Sequence, residues 1–93
     1  MAVHFNGEDP SRVMEEAASL MEKVLPFKDE ATLYEEPGSA HFERVKGKYR
    51  FIAVFRYGNL APLRRALRKE IFSGRYKRKG IDIYVDVDAM SLL

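Results

Sequence analysis

Twelve of the sixteen basic residues lie between positions 46 and 80, where Glu70 is the only acid. Aromatic rings are interleaved with them. Tyr49 stands between Lys48 and Arg50, Tyr57 follows Arg56, and Tyr76 stands between Arg75 and Lys77. Single-strand nucleic-acid binders use this mixture, with cations following the phosphates and rings stacking on bases, each stack worth about 1–3 kcal/mol. Tyr49 and Tyr57 read equally well as strand-packing residues, whereas Tyr76, in the basic run RYKRKG, is the better stacking candidate. Residues 1–45 hold ten acids and four bases, so a net charge of +2 conceals a segregated distribution. Such a block points to a polyanionic partner, nucleic acid first. The alternative is a solvated surface with no partner, but the arginines fall at strand and helix positions rather than in a loose tail.

Other chemistry is sparse. The chain has no cysteine, which excludes disulfides and thiolate zinc sites and fits a cytoplasmic protein. Its glycines stand alone, without a phosphate-binding loop, so the chain is no NTP-driven motor by itself. His4 and His41 lack ligand spacing, and His4 reads as a surface or edge histidine. Asp82, Asp86 and Asp88 share one strand face and could hold a hard cation. The stronger reading pairs them with Arg50, Arg56 or loop lysines on adjoining strands. Ser39 and Ser91 have no base partner. Neither catalysis nor a cofactor or metal is expected. No apolar run reaches the roughly 20 residues of a membrane span, and MAVHFNGEDP lacks the pattern of a secretory leader.

Ninety-three residues make a single domain, 1–93. Val3–Phe5 reads as a first strand. Asp9 caps a helix from Pro10 to about Leu25, with Val13, Ala17, Leu20, Met21 and Val24 as its buried stripe, widened by Met14 and Ala18. Glu15, Glu16, Glu22 and Lys23 are expected to face water. A second strand spans Ala31–Glu36, broken at Pro37-Gly38. A third, central strand spans Val45–Tyr57, begun or kinked at Gly47. Its Phe51, Ala53 and Phe55 lie on one side, and Ile52 and Val54 lie on the more open side beside Arg50 and Arg56. Asn59 caps a second helix, Leu60–Phe72, buried through Leu63, Leu67 and Ile71, and Gly74 ends it in left-handed conformation. RYKRKG is then a loop. Ile81–Asp88 alternates, with Ile81, Ile83, Val85 and Val87 inward and Asp82, Tyr84, Asp86 and Asp88 outward. The tail Ala89–Leu93 is left open. The order predicts an α+β, two-layer, ferredoxin-like sandwich, β-α-β-β-α-β, with an antiparallel sheet and two helices on one face.

The run PGSAHFERVKGKYRFIAVFR, Pro37–Arg56, is followed by a leucine/arginine helix and by IDIYVDVDAMSLL. Together they resemble the C-terminal domain of primosomal protein N′, the PriA family of replication-restart DNA helicases. The features are Pro37-Gly38, the basic strand start Gly47-Lys48-Tyr49-Arg50, and the closing Asp86-Val87-Asp88. NGEDPSRVMEEAASL also looks like the family's opening turn and first helix, so the resemblance covers essentially the whole chain. Ala89 stands where the family usually has proline. The family's helicase motifs, zinc-binding cysteines and N-terminal DNA-binding domain are absent from this sequence, so the resemblance implies a C-terminal fragment or a stand-alone relative. It further implies a ribosomal protein S10-like fold and an accessory role in the bacterial cytoplasm, at the nucleoid. That role is binding single-stranded or forked DNA without sequence preference. Lys46, Lys48, Arg50, Arg56, Arg75, Lys77, Arg78 and Lys79 are candidates for phosphate contact, and Tyr49 and Tyr76 for stacking. Arg64, Arg65 and Arg68 are candidates for meeting the acidic-hydrophobic tail of single-stranded-DNA-binding protein or the helicase core. Arg64 matches a family pocket residue, while Leu60 stands where the family is often basic. The alternatives are a protein–protein docking module for the helicase core and an S10-like RNA-binding protein.

Overall fold

In a computed structural model, residues 1–35, 43–45 and 47–87 are described, residues 35 and 43–45 by their backbone. Pro37-Gly38, Lys46, Asp88 and the tail 89–93 therefore lie outside the described residues. The first strand, β1 (Ala2–Gly7), occupies the middle of an antiparallel sheet. It pairs on one edge with β4 (Lys48–Arg56), His4 opposite Ile52, and on the other with β5 (Asp82–Asp86), His4 opposite Tyr84. Two short strands, β2 (Leu33–Glu35) and β3 (Glu43–Val45), pair with opposite ends of β4, and the sheet order is β2–β4–β1–β5. Because β1 covers the other edge of β4 through the β3-paired residues, β2 and β3 share one edge and run in the same direction. The domain is thus α+β.

Three strand expectations are refined. The central strand expected within Val45–Tyr57 starts after Gly47, the residue expected to begin or kink it. Val45 pairs back on Lys48, and Gly47, at φ +80°, lies in the intervening turn. The second strand begins at Leu33 rather than Ala31, and Glu36 lies outside the described residues. Val87, expected inward, lies beyond the end of β5 and is exposed.

Helix α1 (Pro10–Val24) begins as its sequence requires. The Asp9 carboxylate accepts from the Ser11 and Arg12 N–H groups at 3.0 and 3.4 Å, and Pro10 fills a position where no N–H is needed. Val13, Ala17, Leu20, Met21 and Val24 are buried as expected. The stripe widens on the other flank from the one expected. Met14 and Ala18 are exposed, while Glu16 is buried. Helix α2 (Ala61–Phe72) buries Leu63 and Leu67, with Ile71 partly covered. Asn59 stands just before the cap position and accepts from the Ala61 N–H at 3.1 Å. Both helices pack on the sheet face carrying Val3, Phe5, Phe51, Ala53 and Phe55. Phe5 meets Phe51 edge-on, and Tyr34 stacks on Phe55 at 4.8 Å.

The link from β4 to α2 is tightly held. Tyr57 has φ +70° and Gly58 +72°. Thr32 Oγ1 donates to the Tyr57 carbonyl at 2.8 Å, and the Asn59 N–H donates to Asp29 Oδ2 at 2.8 Å. That N–H holds the Asp29 carboxyl below its ordinary value. A Cβ on Gly58 would lie 2.6 Å from Asp29 Oδ2 and 2.7 Å from Thr32 Oγ1. Gly58→Ala therefore combines left-handed strain with displacement of two hydrogen-bonding groups. It is expected to cost more than about 1 kcal/mol, lowering the melting temperature by at least ~4 °C. Gly47→Ala, with equal φ strain but nothing within 4 Å of the new Cβ, is expected to cost less. Thermal melts of the two variants compare them directly.

Candidate nucleic-acid interface

The pleat of β4 separates its residues by parity. Lys48, Arg50, Ile52, Val54 and Arg56 belong to the sheet face away from α1 and α2, and Tyr49 belongs to the helix side with Phe51. Lys48 is exposed; Tyr49, Arg50 and Arg56 are half-buried. Arg50 Nε donates to Asn6 Oδ1 at 3.4 Å, across the β1–β4 pairing. Lys46 lies outside the described residues.

The expected basic loop after α2 is a one-turn helix, α3 (Arg75–Arg78). Gly74, left-handed at φ +76°, ends α2 as expected and turns the chain straight into α3. This carries the Tyr76 ring into the core, where it is 2 % exposed. Tyr76 therefore cannot stack on a base. Its carbonyl accepts from the Lys79 and Ile81 N–H groups at 3.0 Å each, fixing the turn to the start of β5. Burial pushes the Tyr76 hydroxyl pKa up, and the Glu70 charge adds to this. The Arg75 guanidinium lies 5.8 Å from the Tyr76 ring centroid. Lys77 and Arg78 remain exposed.

Lys79 Nζ donates to Glu16 Oε1 at 2.8 Å, which explains the burial of Glu16. This pair anchors α3 to α1, so Lys79 is partly committed to structure. Around it, a groove of about 580 Å³ opens where the starts of α1, β4 and β5 meet. Arg12, Lys48, Lys77 and Lys79 line it, with Glu8, Asp9 and Asp82 on the same walls. Three of the expected phosphate contacts converge here, and Arg12 joins them. Arg12 was not among the expected residues; only its exposed place in the first turn of α1 could have pointed to it. Arg56, at the far end of β4, and Arg78 do not line this groove.

A second, smaller groove of about 240 Å³ runs between α2 and β5. Arg64 and Arg68 line it with Ile71, Phe72 and the β5 residues Ile83, Tyr84 and Val85, followed by Val87. Arg65 is exposed but does not line it. Phe72 is 80 % exposed, and among the described residues no strand pairs with the outer edge of β5.

On the sheet face away from α1 and α2, His4 is buried rather than superficial. Its ring stacks on Tyr84 at 4.3 Å with the planes 5° apart, and neither ring nitrogen has a hydrogen-bond partner. Burial lowers its pKa, the Arg50 charge lowers it further, and Asp86 partly opposes them. Asp82 and Asp86 flank Tyr84 on β5, which adjoins β1 rather than β4. No cluster of three metal-ligating side chains occurs among the described residues, and no described helix is long and apolar enough to cross a membrane.

Comparison with protein-family models, curated proteins and solved structures gives no match.

The depressed His4 pKa has a definite consequence for stability. Above its ordinary value of 6.5, His4 is neutral in both states. Below 6.5 the unfolded chain takes up a proton that the folded one resists, so stability falls as pH falls. Urea midpoints between pH 8 and 5 are expected to decline below about 6.5. His4→Phe, which keeps a ring against Tyr84, is expected to remove that part of the decline.

Proposed function

We propose that this chain is a non-catalytic DNA-binding domain of the PriA replication-restart type, engaging single-stranded or forked DNA beside a helicase core. The observation that carries the reading is the groove where Arg12, Lys48, Lys77 and Lys79 converge from three separate parts of the chain. Phosphates favour such a focus of cations, and backbone contact of this kind carries no base sequence. Lys48, from the Gly47-Lys48-Tyr49-Arg50 motif that underlies the resemblance, is one of the residues lining that groove. The strand order β2–β4–β1–β5, with two helices on one face, supports the finer ferredoxin-like and ribosomal protein S10-like assignment. In it, β2 and β3 together occupy the place of one edge strand. The working compartment is then the bacterial cytoplasm, at the nucleoid.

The groove between α2 and β5 supports the second half of the reading. Two arginines beside an exposed phenylalanine suit a peptide with acidic and apolar residues, as in the tail of single-stranded-DNA-binding protein. An S10-like RNA-binding protein would instead favour structured RNA over forked DNA.

Fluorescence anisotropy with a labelled DNA strand at low salt tests the reading. Each phosphate neutralised on a single strand contributes about 0.7 to the slope of log affinity against log salt, so the three groove cations other than the Glu16-paired Lys79 predict a slope of about −2. Lys48→Glu with Lys77→Glu is expected to weaken binding at least tenfold and flatten the slope. Salt-insensitive binding, or none at low salt, would sink the proposal. In a parallel titration, Arg64→Glu with Arg68→Glu is expected to abolish binding of an acidic-hydrophobic peptide while leaving DNA affinity nearly unchanged. Equal loss of both ligands would show that the two grooves do not act separately.

A further inference from the structure

Burial of Tyr76 leaves half-buried Tyr49 as the remaining expected stacking ring, and the middle of β5 offers a more exposed one. Tyr84 is 46 % exposed on the sheet face away from α1 and α2. One face of its ring lies against His4. Tyr84 also borders the groove between α2 and β5, on the edge where no described strand pairs with β5. The ring is thus backed by a buried aromatic and still half exposed. That arrangement suits a base, since every base has a π-face and sequential stacking extends the existing pair. Asp82, exposed and two residues earlier on the same strand face, lies about 7 Å from Tyr84 along the strand. Asp82 also lines the cationic groove with Lys48 and Lys77. Phosphate-holding cations, a carboxylate and a stacking ring therefore follow one another along one edge of the domain.

Resting on the DNA-binding reading, we propose that Tyr84 is the base-stacking residue and that Asp82 accepts a hydrogen bond from the exocyclic amino group of the stacked base. The site then discriminates among bases. Cytosine offers its N4 amino group to a carboxylate, whereas thymine presents the O4 acceptor, which a carboxylate repels. Unpaired bases expose these edges in single strands. The domain prefers cytosine to thymine, in contrast to the indifference that phosphate contacts alone would give.

The test is anisotropy at neutral pH and low salt with short oligodeoxycytidine, oligodeoxythymidine and oligodeoxyuridine, the last removing the thymine methyl group as a variable. The cytidine strand is expected to bind several-fold tighter than the other two. Tyr84→Ala is expected to weaken binding of the cytidine strand about tenfold or more, and Tyr84→Phe to retain it. Asp82→Asn is expected to erase the preference while leaving the thymidine affinity in place. It also keeps the proposal testable if Tyr84→Ala unfolds the sheet. Equal or tighter binding of thymidine by the wild type, or an Asp82→Asn variant that keeps the preference, would overturn this inference and leave the DNA-binding function standing. So would a folded Tyr84→Ala variant with unchanged affinity, provided Lys48→Glu with Lys77→Glu still loses binding. Absence of binding to all three strands would remove both the function and the inference.

Discussion

The structure depends on β1 being enclosed on every side. Its two edges are hydrogen-bonded to β4 and β5, its helix-side residues Val3 and Phe5 are fully buried, and Ala2 and His4 on the other face are nearly so. A strand placed this way dictates what surrounds it. The helix side must be covered by two amphipathic helices, because Phe5, Phe51 and Phe55 expose far too much apolar surface otherwise. The Met1 carbonyl and amino group are held by the Phe55 backbone at 2.8 and 3.0 Å, so even the first residue belongs to the sheet. Burial of His4 follows from the same enclosure, and it determines where Tyr84 can stand.

From that centre the charged groups are distributed by geometry rather than by sequence distance. Residues 12, 48 and 77 belong to the first helix, the longest strand and the short α3, yet they line one groove. The Glu16–Lys79 contact makes this possible by tying α3 to α1. An ion pair of this kind is worth little on an open surface, but here one partner is buried, so removing either leaves an uncompensated group. Its role is positional: it holds the end of α3 against α1.

The most legible elements were those with one wet face. The alternation in Ile81–Asp88 and the helical spacing from Val13 to Val24 reported element type and most of the inward residues, Val87, Met14 and Ala18 excepted, and the Asp9-Pro10 start was visible locally. The glycine marked the break at Gly47, but not the pairing of the short strand before it back onto the start of β4. Tyr76 misled because a polar, basic context resembles a loop; only the turn imposed by Gly74 and the core vacancy beside α2 send the ring inward. Glu16 looked solvent-facing because its partner is 63 residues away. Arg12 was missed for the same reason, since its groove is assembled by tertiary contacts. Long-range pairing, not local propensity, accounts for each of these differences.

The central claim is that the cations of α1, β4 and α3 form one nucleic-acid surface. Amide chemical shifts of the isotope-labelled domain during titration with a short single-stranded DNA, followed by added salt, address it most directly. The account predicts shifts gathered on Arg12, Lys48–Arg50 and Lys77–Asp82 that return to their free positions as salt rises. Shifts confined to α2 and Phe72, or none at low salt, would contradict it and assign the basic residues to a protein partner.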